Sequence, residues 1–567
     1  MRNVLPFVIG LFLIATITPP LSAQEINDNG IVVYHGALFY TLNDQLPTAR
    51  AIAVSGDGEI LAVGNRASVA RVVGRGRPQI DLGGNIVFPG FIDAHGHLAG
   101  LGSLRLGVID LSGAESFEEV IELVSERTRE TPRGKWILGR GWDNEGWPDR
   151  SMPEHDALSE ATPDHPVYLA RVDGHAALAN KAAMELAEIS TATESPPGGE
   201  VLKRAGVPTG VFVDNAESLI TRHIPAGAAG SFEDLVLAAQ ETCFASGMTG
   251  MHDMGVSSLE AERYRQLEAD GKLKLRVHGF LHGNEAMRYF EENPIHIGDR
   301  FSLRGTKLYM DGAMGSRGAW LLEPYADRPT DNEGRPYTGL NVSEVEFIEA
   351  VAEHAFERGY QVAAHAIGDR ANREVLDSFE IAMRRADAMG TDHRFRVEHA
   401  QLLAESDIPR FARLGVLPSM QQRHATSDMR WVEDRVGPER ALGAYAWRSL
   451  ILNGAIVPGG SDFPVEPHEP LRTFYAAVTR QNERSQPEGG WMPEQRMTRE
   501  QALKSLTSWA AYAAFWEDRV GMLKPGMRAD FVVLDRDIMT VPADEILITR
   551  VLRTVVDGET VYLAEEN

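Results

Sequence analysis

The chain has 567 residues, a formal charge of −25, and hydrophobic and charged fractions of 43% and 24%. That composition belongs to a folded globular protein and excludes a disordered or fibrous one; the length exceeds one ordinary domain, although one large barrel with accessory parts could hold it. The acidic balance repels nucleic acid and anionic lipid. Cys243 is the one cysteine, which excludes an intrachain disulfide or a thiolate cluster and leaves histidine and carboxylate as the ordinary metal ligands.

In chain order, Arg2 precedes an apolar run over 4–17, and Thr18-Pro19-Pro20-Leu21-Ser22-Ala23 then leads into Gln24. A charged start, an apolar run too short to span a bilayer and a small-residue cleavage site predict a signal peptide over 1–23. The expected mature protein begins at Gln24, is exported to the periplasm, and carries −26 once Arg2 leaves with the leader. No cysteine follows Ala23, so no lipid anchor is expected, and no later apolar stretch is long enough to cross a membrane.

Residues 30–81 read as short strands separated by turns such as Gly56-Asp57-Gly58, and 529–562 has the same texture. Each end alone would give few strands and a poor core, so the two are expected to pair into one composite β-sandwich domain, 24–88 with 517–567. Between them strands and amphipathic helices alternate. Candidate strands fall at 91–95, 248–252, 273–280, 306–310, 361–365, 395–399, 416–421 and 456–460, with helical stretches such as 343–358 and 371–389. Eight such strands predict an α/β protein built on a (β/α)₈ TIM-like barrel, over 89–132 and 224–516. The gap before the second strand is too long for one crossover, and 133–223 is expected to form an inserted subdomain over the barrel mouth.

The first candidate strand ends in His95-Gly96-His97. Side chains two apart in an extended chain share a face, and two imidazoles on one face begin a metal chelate. Other chemically capable residues fall at or near later strand ends, where barrel enzymes keep their active sites: Lys307 on the fourth, His365 on the fifth, His399 on the sixth and Asp462 after the eighth. Each has a structural alternative, as a strand-edge charge, a hydrogen-bonded core imidazole or a helix cap. Convergence around one barrel mouth favours a common site. His424 follows the seventh strand and could reach the same mouth. His175, in Asp173-Gly174-His175, and His252, Trp142 and Arg317 are further pocket candidates.

These segments together resemble the amidohydrolase superfamily, and most closely its amidohydrolase family 3, the YtcJ-like branch related to N-substituted formamide deformylase. The resemblance rests on Pro89-Gly90-Phe91-Ile92-Asp93-Ala94-His95-Gly96-His97, Lys307 through Asp311-Gly312-Ala313-Met314-Gly315-Ser316-Arg317, and Ala364-His365-Ala366-Ile367-Gly368-Asp369. It continues through Glu398-His399-Ala400-Gln401, His424-Ala425-Thr426-Ser427-Asp428-Met429 and Gly460-Ser461-Asp462-Phe463-Pro464-Val465. It implies a zinc site of one or two ions with His95, His97, His365 and His399 as ligands. Lys307 would be carboxylated and bridge two metals, and Asp462 would be both ligand and general base; a single-metal site with Lys307 as a plain cation stays open. His424 would donate to the developing oxyanion.

The expected activity is metal-dependent hydrolysis of a non-peptide carbon–nitrogen bond in a small amide-type substrate. The same site acting on an ester, lactone or carbamate, or an exported binding protein without turnover on the same fold, are the alternatives. No nucleic-acid partner and no membrane contact after leader removal are expected, and a homodimer stays open.

Overall fold

The computed structural model describes residues 30–331 and 333–565. The expected signal peptide, 1–23, lies outside the described residues. Eight parallel strands form the barrel: Phe91–Gly96, Met248–Val256, Arg276–His282, Phe301–Tyr309, Gln361–Ala366, Arg396–His399, Leu417–Gln421 and Gly459–Gly460. They pair in chain order. Closure comes from the chain after the eighth strand, where Asp462 N donates to His95 O at 2.7 Å and His97 N donates to Phe463 O at 2.8 Å. All eight overlap the expected runs, although the fourth begins five residues earlier, at Phe301, and the eighth is only Gly459–Gly460. The strands are buried on both faces, as parallel strands under helices must be, so runs such as Val362-Ala363-Ala364 show no alternation.

Two of the connecting helices begin on side-chain caps. Ser231 Oγ accepts from Asp234 N at the start of Phe232–Ala245, and Ser257 with Glu260 makes a reciprocal cap for Ser258–Ala269. The expected helices near 343–358 and 371–389 are Val345–Arg358 and Asp369–Arg385.

The two chain ends meet in one eight-stranded sheet, in which Phe531–Leu534 lies antiparallel to Ile86–Pro89. Tyr34, Phe39, Ile52, Val87, Phe531 and Val533 fill its own core, while Phe88, Val532 and Leu534 point the other way into the barrel's apolar core. The sheet is thereby anchored beneath the barrel through alternate residues of the same strands.

The inserted unit is a six-stranded sheet running from Gly199–Arg204 at one edge to Ile109–Asp110 at the other. It therefore reaches back beyond the expected border at 133. Ile109–Asp110 pairs with Ile137–Trp142, and Val120 and Val124 of the helix Phe117–Thr128 share a core with Trp142 and Leu169. A two-residue strand leaves no periodicity to read, which is why the border fell late. Among the described residues no helix is long and apolar enough to cross a membrane.

Candidate metal and active site

Histidines and one aspartate converge at the C-terminal end of the barrel strands. His95, His399 and Asp462 each present a donor atom within 4.8 Å of the others, and all three are buried. His97 Nε2 is 3.1 Å from Asp462 Oδ1, and His95 Nε2 is 3.5 Å from the same oxygen. Lys307 Nζ lies 3.3 Å from His95 Nε2. The His365 ring is 4.5 Å from that of His399, and the His399 ring is 4.9 Å from that of His95. The structure thus brings His95, His97, Lys307, His365, His399 and Asp462 around one point, as the chain order of the strands implies.

Burial sets the protonation of this cluster. It pulls His95, His365 and His399 well below the usual imidazole range, helped by neighbouring positive groups including Lys307, so each is neutral and able to ligate. Burial also lowers Lys307 to about 8, against the opposing pull of Glu398 and Asp462. Burial alone would raise Asp462, but the hydrogen bond and charge of His97, with His424 and Lys307 behind it, hold its carboxyl below the usual range. His399 and Asp462 both take positive φ, 72° and 61°, a strained backbone of the kind found where a site dictates side-chain direction.

A divalent metal fits this donor set. His424 Nε2 is buried without a hydrogen-bond partner and Asp462 Oδ1 faces the imidazoles of His95 and His97, and neutral imidazole with carboxylate oxygen is the usual zinc combination. The histidines are also oriented from behind. His95 Nδ1 meets Glu398 Oε2 at 2.6 Å and His399 Nδ1 meets Gln421 Oε1 at 2.8 Å. Glu398 is in turn paired with Arg396, Nε to Oε1 at 2.7 Å, and Arg396 Nη2 reaches the Ala94 carbonyl at 2.6 Å.

Asp93 accepts from His95 N at 2.9 Å and from Ser461 Oγ at 2.6 Å, which ties the first strand to the loop that carries Asp462. Asp311 accepts from Ile367 N at 3.0 Å and Gly368 N at 2.8 Å, fixing the loop after His365. Sequence reasoning named none of Asp93, Asp311, Arg396, Glu398 or Gln421 as functional. A polar residue inside an apolar strand was the available signal.

His424 lies on the helix Gln422–Asp428, with Nε2 3.9 Å from Asp462 Oδ2 and its ring stacked on His399. His175 also reaches the site: it is carried in from the insert, its ring is 4.8 Å from that of His365, and its Nδ1 meets Asp214 Oδ1 at 2.7 Å. The other three pocket candidates lie elsewhere. His252 points into the barrel interior below the site, where its Nδ1 meets Arg396 Nη1 at 2.7 Å beside Trp516. Trp142 is core of the insert, stacked on Trp147 with Nε1 donating to Leu169 O at 2.8 Å. Arg317 spends its guanidinium on Asp327 at 2.8 Å. For Trp142 and His252 burial decides: a large ring is buried where it packs, whatever its polar tip could do.

The histidine cluster opens on a cavity of about 360 Å³ walled by His97, Lys307, Tyr309, His175 and Arg140. A second lobe of about 380 Å³ shares His175, His365, His399 and Asp462 and adds Met314, Trp431 and His424. A closed barrel with imidazoles and a carboxylate at its strand ends, under a cavity of small-molecule size, is the architecture of a metal-dependent hydrolase. The comparisons agree, and the chain belongs to the amidohydrolase family, whose profile matches residues 79–562. It is 33% identical over 539 residues to YtcJ of Bacillus subtilis (strain 168), covering 94% of this chain and 99% of that one. N-substituted formamide deformylase of Arthrobacter pascens is 28% identical over 549 residues, with 92% and 96% covered. An uncharacterized metal-dependent hydrolase from Pyrococcus horikoshii OT3 superposes with a TM-score of 0.72 at 28% identity, over 91% of this chain and 99% of that one.

Proposed function

We propose that the chain is an exported, zinc-dependent hydrolase of a non-peptide amide-type carbon–nitrogen bond, with Asp462 as general base. The observation that carries the reading is the buried Asp462 carboxylate, placed within reach of His95, His97, His399 and His424 at once. His95, His97, His365, His399 and Asp462 would hold the metal, and Lys307, as its carbamate, would add an oxygen ligand. Zinc at this donor set would supply an acidified water and polarise a substrate carbonyl.

The chain's own groups account for the rest. Asp462, kept ionised by His97, takes a proton from the attacking water and returns it to the departing nitrogen. His424, with Nε2 free of any protein partner, donates to the oxygen that gains charge. Glu398 holds the His95 ring so that Nε2 faces the centre, and Asp93 keeps that ring in register with Asp462. Lys307 at about 8 holds a share of free amine near neutral pH, the form that takes up carbon dioxide. N-substituted formamide deformylase, a relative over nearly the whole chain, supports an amide-type bond rather than an ester.

The test is Asp462→Asn assayed on paired amide and ester panels with zinc measured in the same preparation. Loss of kcat by about 10²–10⁴ with zinc retained is expected for a positioned acid–base. Near-wild-type turnover with full zinc removes Asp462 from the chemistry, and cleavage confined to esters removes the amide assignment.

A further inference from the structure

The cavity wall holds one arginine that the protein itself leaves unsatisfied. Arg140 lies on the insert strand Ile137–Trp142 and lines the same cavity as His97, Lys307 and Asp462. Its guanidinium makes a single long hydrogen bond, Nη2 to the Val172 carbonyl at 3.4 Å, and its Nε is buried with no partner. No carboxylate is in ion-pair range of it among the described residues. Its neighbour Arg171 shows the ordinary arrangement, paired with Asp143 at 2.8 Å and Asp173 at 2.5 Å.

The acidic side chains around Arg140 are committed to other groups. Asp173 is taken by Arg171, Asp214 by His175, Glu217 by the Tyr168 hydroxyl and Asp462 by His97. A half-buried guanidinium whose Nε is buried without a partner is costly, and its planar fork matches the two oxygens of a carboxylate. Gly174, at a φ of 71°, packs beside the fork, where a Cβ would make only ordinary contact with Nη2 at 3.5 Å and Nη1 at 3.7 Å. The surrounding carboxylates, although paired, disfavour a dianion such as a phosphate over a singly charged group.

We propose that Arg140 receives a carboxylate carried by the substrate, so that the substrates are N-acyl amines bearing an acid group, of the class of N-acylated amino acids. The inference rests on the amide reading above and adds the substrate class. In it the barrel supplies the hydrolytic groups and the insert supplies recognition.

Binding and turnover separate the two readings. N-methanesulfonyl glycine, leucine and phenylalanine, which have no cleavable acyl carbon, are compared by calorimetry with the matching amines that lack the acid group. Zinc-loaded wild type is expected to bind the acids about 100-fold more tightly, the worth of a charged bidentate pair. In Arg140→Gln, with zinc content and melting temperature checked, that ratio should fall to near 1, and Arg140→Lys should recover part of it. No acid preference in the wild type across the panel, or a preference that survives Arg140→Gln, overturns the proposal. Turnover of the corresponding N-acyl compounds, measured alongside, bears on the amide reading alone: an acid preference without amide cleavage leaves Arg140 as the clamp and removes the amide assignment.

Discussion

Glu398 Oε2 lies 2.6 Å from His95 Nδ1, and both side chains are fully buried. The contact fixes which imidazole nitrogen is turned toward Lys307 and Asp462, so a residue that touches no substrate governs the geometry of the site. Glu398→Gln should keep the shape but weaken zinc binding by about 10–100-fold, as measured by competition with a chelator. Glu398→Ala should also cost about 3–5 kcal/mol of stability, because Arg396 is then left as a buried, unpaired charge. An unchanged zinc affinity in Glu398→Gln would show that the contact orients nothing.

Lys307→Ala should lose metal and most activity, and short carboxylic acids added in solution should restore part of both by standing in for a carbamate. Zinc counted per chain before and after addition checks this. Full metal content in the alanine variant would show that Lys307 bridges nothing.

Gly312 marks where the insert meets the barrel. A Cβ there would lie 2.2 Å from Asp214 Oδ2, the carboxylate that holds His175. Gly312→Ala should therefore cost about 1–3 kcal/mol as an overpacked contact, read from denaturant midpoints, and displace His175 from the cavity. A neutral substitution would mean that the interface yields freely.

Asp428 gives a pH signature. It accepts from Gln401 Nε2 at 3.1 Å and from the Tyr445 hydroxyl, and burial pushes it up to about 7. A carboxyl raised on folding binds its proton more tightly in the folded state, so its contribution is complete below about pH 4 and is lost as pH rises toward 7. Stability should fall through that window with a slope from this group of at most about 1.4 kcal/mol per pH unit. Asp428→Asn should flatten the slope, and an identical pH profile in the variant would contradict the assignment.

Much of this arrangement was legible in the sequence, because barrel strands announce themselves as apolar runs and their chemistry sits at the ends. His95, His97, Lys307, His365, His399 and Asp462 follow from that rule together with the family resemblance. Asp93 and Glu398 were equally visible as residues, but their roles depend on Ser461 and His95, partners far away in sequence that no local pattern pairs. Trp142 and His252 illustrate the opposite limit, since local sequence does not separate a pocket aromatic from a core one. The insert's true start at Ile109 was hidden because a two-residue strand has no period.

In the proposed mechanism turnover depends on metal held at His95, His399 and Asp462 with their neighbours. This dependence is tested most directly by stripping the protein with a chelator and following amide cleavage as zinc is titrated back. Activity is predicted to be absent in the zinc-free protein, to rise in proportion to added zinc, and to saturate at one or two equivalents per chain. Full turnover in exhaustively demetallated protein would contradict it.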